Sequence, residues 1–84
     1  MKHSYFIYAA LTEDGTGIFQ LDSSRDEDSG LLECWFNCWD FDPEILAECG
    51  YADQRSLEKE LKETPTDSPA QIKKFKITVE SLDA

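Results

Sequence analysis

Apolar residues come first as an unbroken run, Tyr5 to Leu11, and resume at Ile18 to Leu21 after the polar break Glu13-Asp14-Gly15-Thr16. Asp14-Gly15 at the centre suits a two-residue type I′ turn, so the spacing predicts a β-hairpin. Its register would pair Ala10 with Phe19 and Tyr8 with Leu21. Alternation then sends Phe6, Tyr8, Ala10, Phe19 and Leu21 to one face and Tyr5, Ile7, Ala9, Leu11 and Ile18 to the other. Neither face is polar, so the second also calls for a cover.

After the polar stretch Ser23 to Gly30, a loop by composition, comes Leu31 to Phe41 (LLECWFNCWDF). Leu31, Trp35, Cys38 and Trp39 fit a helical face, while Leu32, Cys34, Phe36 and Cys38 fit one side of a strand. Aromatic enrichment favours the strand. Asp42-Pro43-Glu44 supplies an N-cap, a proline at the first helical position and an acid in the first turn, predicting a helix over 43–49 that Gly50 would end in the left-handed conformation. A second helix, 54–63, follows from Asp53 as cap, Leu57 and Leu61 on one face, and Glu58 with Lys62 as an i,i+4 pair. Thr64 to Gln71, with Pro65 and Pro69, reads as a loop. From Ile72 to Glu80, Phe75, Ile77 and Val79 alternate with Lys74, Lys76, Thr78 and Glu80, predicting a strand whose lysines guard a sheet edge. The fold class expected is α+β: a small antiparallel sheet in the order β-β-β-α-α-β, with two short helices packed on one face. Two strands and a helix in place of the first three strands is the alternative. There is no internal repeat.

The 84 residues predict a single acidic domain, 1–84, with one thin core. A 40% apolar and 12% aromatic content supports folding, so the net charge of −10 does not signal disorder. That charge is unevenly placed. Residues 13–53 carry twelve acids against Arg25 alone, whereas residues 54–84 balance six acids with six bases. Such acidity excludes direct nucleic-acid binding and docking on anionic membranes, both of which need clustered Lys and Arg. The run Tyr5 to Leu11 is too short for a signal core and ends in acids, so the chain is expected to act in the cytoplasm. The three cysteines, Cys34, Cys38 and Cys49, are then expected to be reduced thiols.

Little in the pattern points to catalysis. The single histidine, His3, stands near the N-terminus without a nucleophile beside it, and the four glycines form no phosphate-cradling motif. A C-x3-C pair and one distant cysteine fall short of a tetrahedral zinc set, so small packed thiols are the preferred reading. Asp22, Ser24, Asp26, Asp28 and Glu33 can be laid on positions 1, 3, 5, 7 and 12 of a calcium loop, but Glu27 stands at the sixth, where glycine makes the turn. Paired carboxylates would need a pocket that so small a core hardly supplies. No catalytic residue, metal ligand or cofactor is therefore assigned.

The densest aromatic run is Trp35, Phe36, Trp39 and Phe41, with Glu33, Asp40 and Asp42 around it. Core is the plainer reading of these rings, and at least two should face inward. The sharper reading leaves one or two exposed as interface anchors ringed by acids. The candidate partner-binding set thus takes Asp22, Asp26, Glu27 and Asp28 from the first acidic loop and Glu33, Trp35, Trp39 and Asp40 from the aromatic run. Asp42, Glu44 and Glu48 complete it from the first helix.

In size, acidity and the stretch Glu13 to Asp53, the chain resembles phage-encoded inhibitors of bacterial defence, the anti-CRISPR and anti-restriction proteins that imitate nucleic acid. The resemblance implies a non-catalytic inhibitor whose carboxylates occupy a basic, nucleic-acid-binding site on a partner such as a nuclease complex. The alternatives are an antitoxin or immunity protein neutralising a basic nuclease toxin, or a small metal-binding domain.

Overall fold

The computed structural model describes residues 1–82. They form β1 (Lys2–Thr12), β2 (Gly17–Arg25), β3 (Leu32–Asp40), α1 (Pro43–Cys49), α2 (Gln54–Glu63) and β4 (Ala70–Glu80). The class and chain order are those the sequence predicts, and the ambiguous aromatic run is a strand. The sheet is antiparallel, with spatial order β3-β2-β1-β4.

The β1–β2 turn differs in detail from a type I′ hairpin. Gly15 donates its N–H to the Thr12 carbonyl oxygen at 2.9 Å, and within the turn only Gly15, at φ +77°, is left-handed. This suits a type I turn followed by a left-handed glycine, because Asp14 keeps an ordinary negative φ. Asp14 instead organises the turn with its side chain. One carboxylate oxygen accepts from the Thr12 hydroxyl at 2.7 Å, the Thr16 N–H at 3.0 Å and the Thr16 hydroxyl at 2.8 Å. These bonds, that of the Thr12 hydroxyl foremost, hold the Asp14 carboxyl down to about 2 from an ordinary 3.8.

The predicted register survives in Leu11 opposite Ile18, but the ladder between β1 and β2 stops there. Ala10 and Phe19, like Tyr8 and Leu21, are not ladder partners: β2 parts from β1 there, while it stays paired with β3 on its other edge and β1 with β4 along its whole length. Tyr51 takes up the vacated backbone groups, exchanging two N–H···O bonds of 2.8 Å with Tyr8. The link between the helices is thereby stitched beside β1, and the chain changes faces there. Leu46 of α1 packs with Ile7, Ala9, Leu11 and Ile18, whereas Leu57 of α2 packs with Ala10 and Phe19. The helices therefore cover alternate faces of β1, where the sequence suggested one shared face. The reason is already in the pattern: β1 is apolar on both sides, and each side needs burial.

Both N-caps form as expected, Asp42 accepting from the Glu44 N–H at 2.7 Å and Asp53 from the Arg55 N–H at 3.2 Å. Gly50 is not left-handed; its φ of −70° and ψ of 147° are extended. A glycine is required there for space. A Cβ would lie 2.6 Å from Ile7 Cδ1 and 2.9 Å from the Leu46 carbonyl oxygen. On α2 the ion pair is Lys59 with Glu63 at 3.9 Å, while Glu58 accepts from Gln54 at 3.0 Å instead of pairing with Lys62. β4 begins two residues earlier than its alternation suggests.

The buried residues all lie near the first turn and the helices, so the far ends of both strand pairs run out beyond the core. The radius of gyration, 15.1 Å, reflects this extension. A compact chain of this length would have about 12 Å.

Candidate protein-binding surface

Beyond Leu21 the β2–β3 ribbon has no core behind it, and residues 22–35 are exposed throughout. Its register decides which side chains meet. Asp22 stands opposite Trp35, Gln20 opposite Asn37, Ile18 opposite Trp39 and Ser24 opposite Glu33. Alternation places all eight on one face, continuous with the side of Ile18 that α1 covers.

Polar bonds knit this face together. The Trp39 indole N–H donates to Gln20 Oε1 at 3.0 Å, the Trp35 indole N–H to Asn37 Oδ1 at 3.1 Å, and Asn37 Nδ2 to Asp22 Oδ2 at 3.2 Å. Each indole thus has its N–H satisfied while much of its ring stays open, Trp35 at 38% and Trp39 at 48% exposure. Two rings of the aromatic run were expected to face inward. Only Phe36 does, meeting Phe19 edge-on at 6.4 Å, while Phe41 stacks on Phe75 at the surface. The reason is parity: Trp35 and Trp39 share the face opposite to Phe36, and α1 reaches only as far along it as Ile18.

The structure brings Asp22, Glu33, Trp35 and Trp39 together on this face. Glu48 of α1 borders it, lining a shallow hollow with Gln20, Leu21, Cys49, Gly50 and Tyr51. Asp26, Glu27 and Asp28 form the ribbon tip. There Asp26 accepts the Asp28 N–H at 3.0 Å and its carbonyl accepts the Gly30 N–H at 2.8 Å, and the Asp28 amide foremost lowers the Asp26 pKa. Glu44 is exposed in the first turn of α1. Two candidates do not join the group: Asp40 falls on the opposite face of β3, and Asp42 is engaged in capping α1. Gln20 and Asn37, which fix the indoles, were missed by sequence reading. Their signal was the same alternation that carries Trp35 and Trp39.

Charge is segregated across the sheet. Among the described residues the ion pairs are Lys2 with Glu80 and Lys59 with Glu63, each at 3.9 Å, and neither involves an acid of residues 13–53. Lys73, Lys74 and Lys76 lie on β4 at the opposite edge from β3. Lys74 rests over the rings of Phe6 and Tyr8, at 4.3 and 5.9 Å, rather than on a carboxylate.

Other chemistry stays dispersed. Among the described residues no three of His, Cys, Asp and Glu gather as a metal-holding group. Arg25 donates to the Gly30 carbonyl at 2.6 Å, so the segment likened to a calcium loop is a strand end closed by a tight turn. Cys34 and Cys38 are exposed on β3, and burial pushes the half-buried Cys49 thiol pKa upward. Among the described residues no helix is long and apolar enough to cross a membrane. Compared with protein-family models, curated proteins and solved structures, the chain finds no match.

Proposed function

We propose that the chain is a non-catalytic, cytoplasmic binding protein whose acidic ribbon occupies a basic, nucleic-acid-binding site of a partner protein and thereby inhibits it. The observation that carries this reading is the pairing of exposed indoles with carboxylates that, among the described residues, form no ion pair with a base. Trp35 and Trp39 offer apolar anchors at low conformational cost, because Asn37 and Gln20 already hold them. Asp22, Glu33, Glu48 and the tip acids supply the field that steers a cationic groove toward them. The partner class that fits is a nucleic-acid-binding protein or nuclease complex.

Capture from a bacterial lysate, with mass spectrometry of what is retained, tests the reading. The expected result is a nucleic-acid-binding protein released by duplex DNA and by raising salt, since exposed charge pairs are screened beyond about 8 Å at physiological ionic strength. Reversing Asp26, Glu27 and Asp28 together to lysine takes the formal charge from −10 to −4. It should abolish capture while costing stability only about 1 kcal/mol, from loss of the Asp26 bond to the Asp28 amide. Undiminished capture by that variant, or capture indifferent to salt, would overturn the proposal.

A further inference from the structure

The two edges of the sheet are built differently. β4 carries Lys73, Lys74 and Lys76 along its length, the usual protection of an exposed edge against pairing with another chain. β3 has no such device. Leu32–Asp40 contains no lysine, arginine, proline or glycine, and among the described residues its backbone is hydrogen-bonded only through its pairing with β2. The strand is nine residues long and presents Leu32, Trp35 and Trp39 to solvent.

We infer that β3 accepts an extended basic segment of the partner as an added fifth strand, an inference that rests on the acidic-surface reading above and specifies its mode of contact. Main-chain hydrogen bonds to an open edge give such docking its affinity, and side chains alternating to the two faces give it selectivity. The faces beside β3 differ. Glu33, Trp35 and Trp39 lie on one, and Cys34, Cys38 and Asp40 on the other, so each face offers one carboxylate to a cationic side chain. Lysine or arginine on the indole face of the incoming strand would meet Glu33, with aliphatic stems over Trp35 and Trp39. A second copy of this chain is a poor occupant, because pairing β3 with its equivalent opposes two surfaces of the same charge, each on a chain of net −10.

The test uses the full chain and a capped eight-residue peptide of alternating lysine and valine. Its fully N-methylated counterpart has the same charge but no backbone donors. In NMR titrations at low salt, the unmodified peptide should bind at least tenfold more tightly than the methylated one and slow amide exchange along Leu32–Asp40. Equal affinity for both peptides would overturn strand addition while leaving the acidic surface as the contact. Binding of neither would remove both. Perturbation confined to β4, or concentration-dependent dimerisation through β3 without peptide, would also overturn the inference.

Discussion

The β1–β4 and β2–β3 ribbons leave the first turn side by side and are both long antiparallel ladders, yet they stand in opposite relations to the core. β1 contributes Ile7, Ala9, Ala10 and Leu11 to burial on both its faces, whereas β2 contributes only its first residues before running into solvent. Their outer stretches also differ in charge: Lys74, Lys76 and the Lys2–Glu80 ion pair mark one, while Asp22, Asp26, Glu27, Asp28 and Glu33 mark the other. Backbone pairing is thus shared, and stabilisation by apolar burial is not. A two-stranded ribbon on its own is marginal in water, so the β2–β3 arm depends on its cross-strand side chains and its anchored base. Binding elements are commonly drawn from such low-stability regions, where local opening costs little.

Matched truncations on the two sides of this contrast should separate them most. Leu57→Ala removes a fully buried side chain between α2 and the sheet and should cost about 2–5 kcal/mol, read as a fall in denaturation midpoint. Trp39→Ala deletes a larger side chain from the exposed ribbon and should cost only about 1 kcal/mol while weakening partner capture. Equal losses would erase the distinction between a cored arm and a solvent-borne one.

Gly50→Ala probes the stitch that lets the arms part. Its backbone angles suit alanine, so the penalty is steric, from Ile7 and the Leu46 carbonyl, and should be about 1–3 kcal/mol by chemical denaturation. Were Gly50 there for a left-handed cap, alanine would instead be penalised without disturbing Ile7, which methyl NMR of Ile7 distinguishes.

The smallest effect concerns the turn from which both arms start. Because folding lowers the Asp14 pKa, the stabilisation it brings is present above the unfolded value near 3.8 and is lost as pH falls toward about 2. Asp14→Asn should flatten that part of the acid-denaturation profile, whereas Glu13→Gln should leave it in place. An unchanged profile in Asp14→Asn would show that its three hydrogen bonds do not favour the ionised carboxyl.

Much of the secondary structure was legible because short-range chemistry sets it. Asp42-Pro43 and Asp53 start their helices through bonds to nearby amides, and the alternation of Phe75, Ile77 and Val79 with lysine marks β4 whatever lies beside it. The candidate surface was legible only in part. The acids and tryptophans stood out in the sequence, but Asp40 and Asp42 were separated from the group by strand parity and helix capping. Gln20 and Asn37 acquire a role only once β2 and β3 are in register.

Residue types and their spacing were enough to specify six elements, two capping aspartates and an excess of negative charge in the middle of the chain. The parting of β2 from β1, the division of the helices between two faces and the exposure of the indoles belong to the assembled fold. Each depends on a competition between distant groups, Tyr51 against β2 for the backbone of Tyr8 and α1 against solvent for the face of Ile18. Local preferences do not decide such contests; the total burial and hydrogen bonding of the folded chain does.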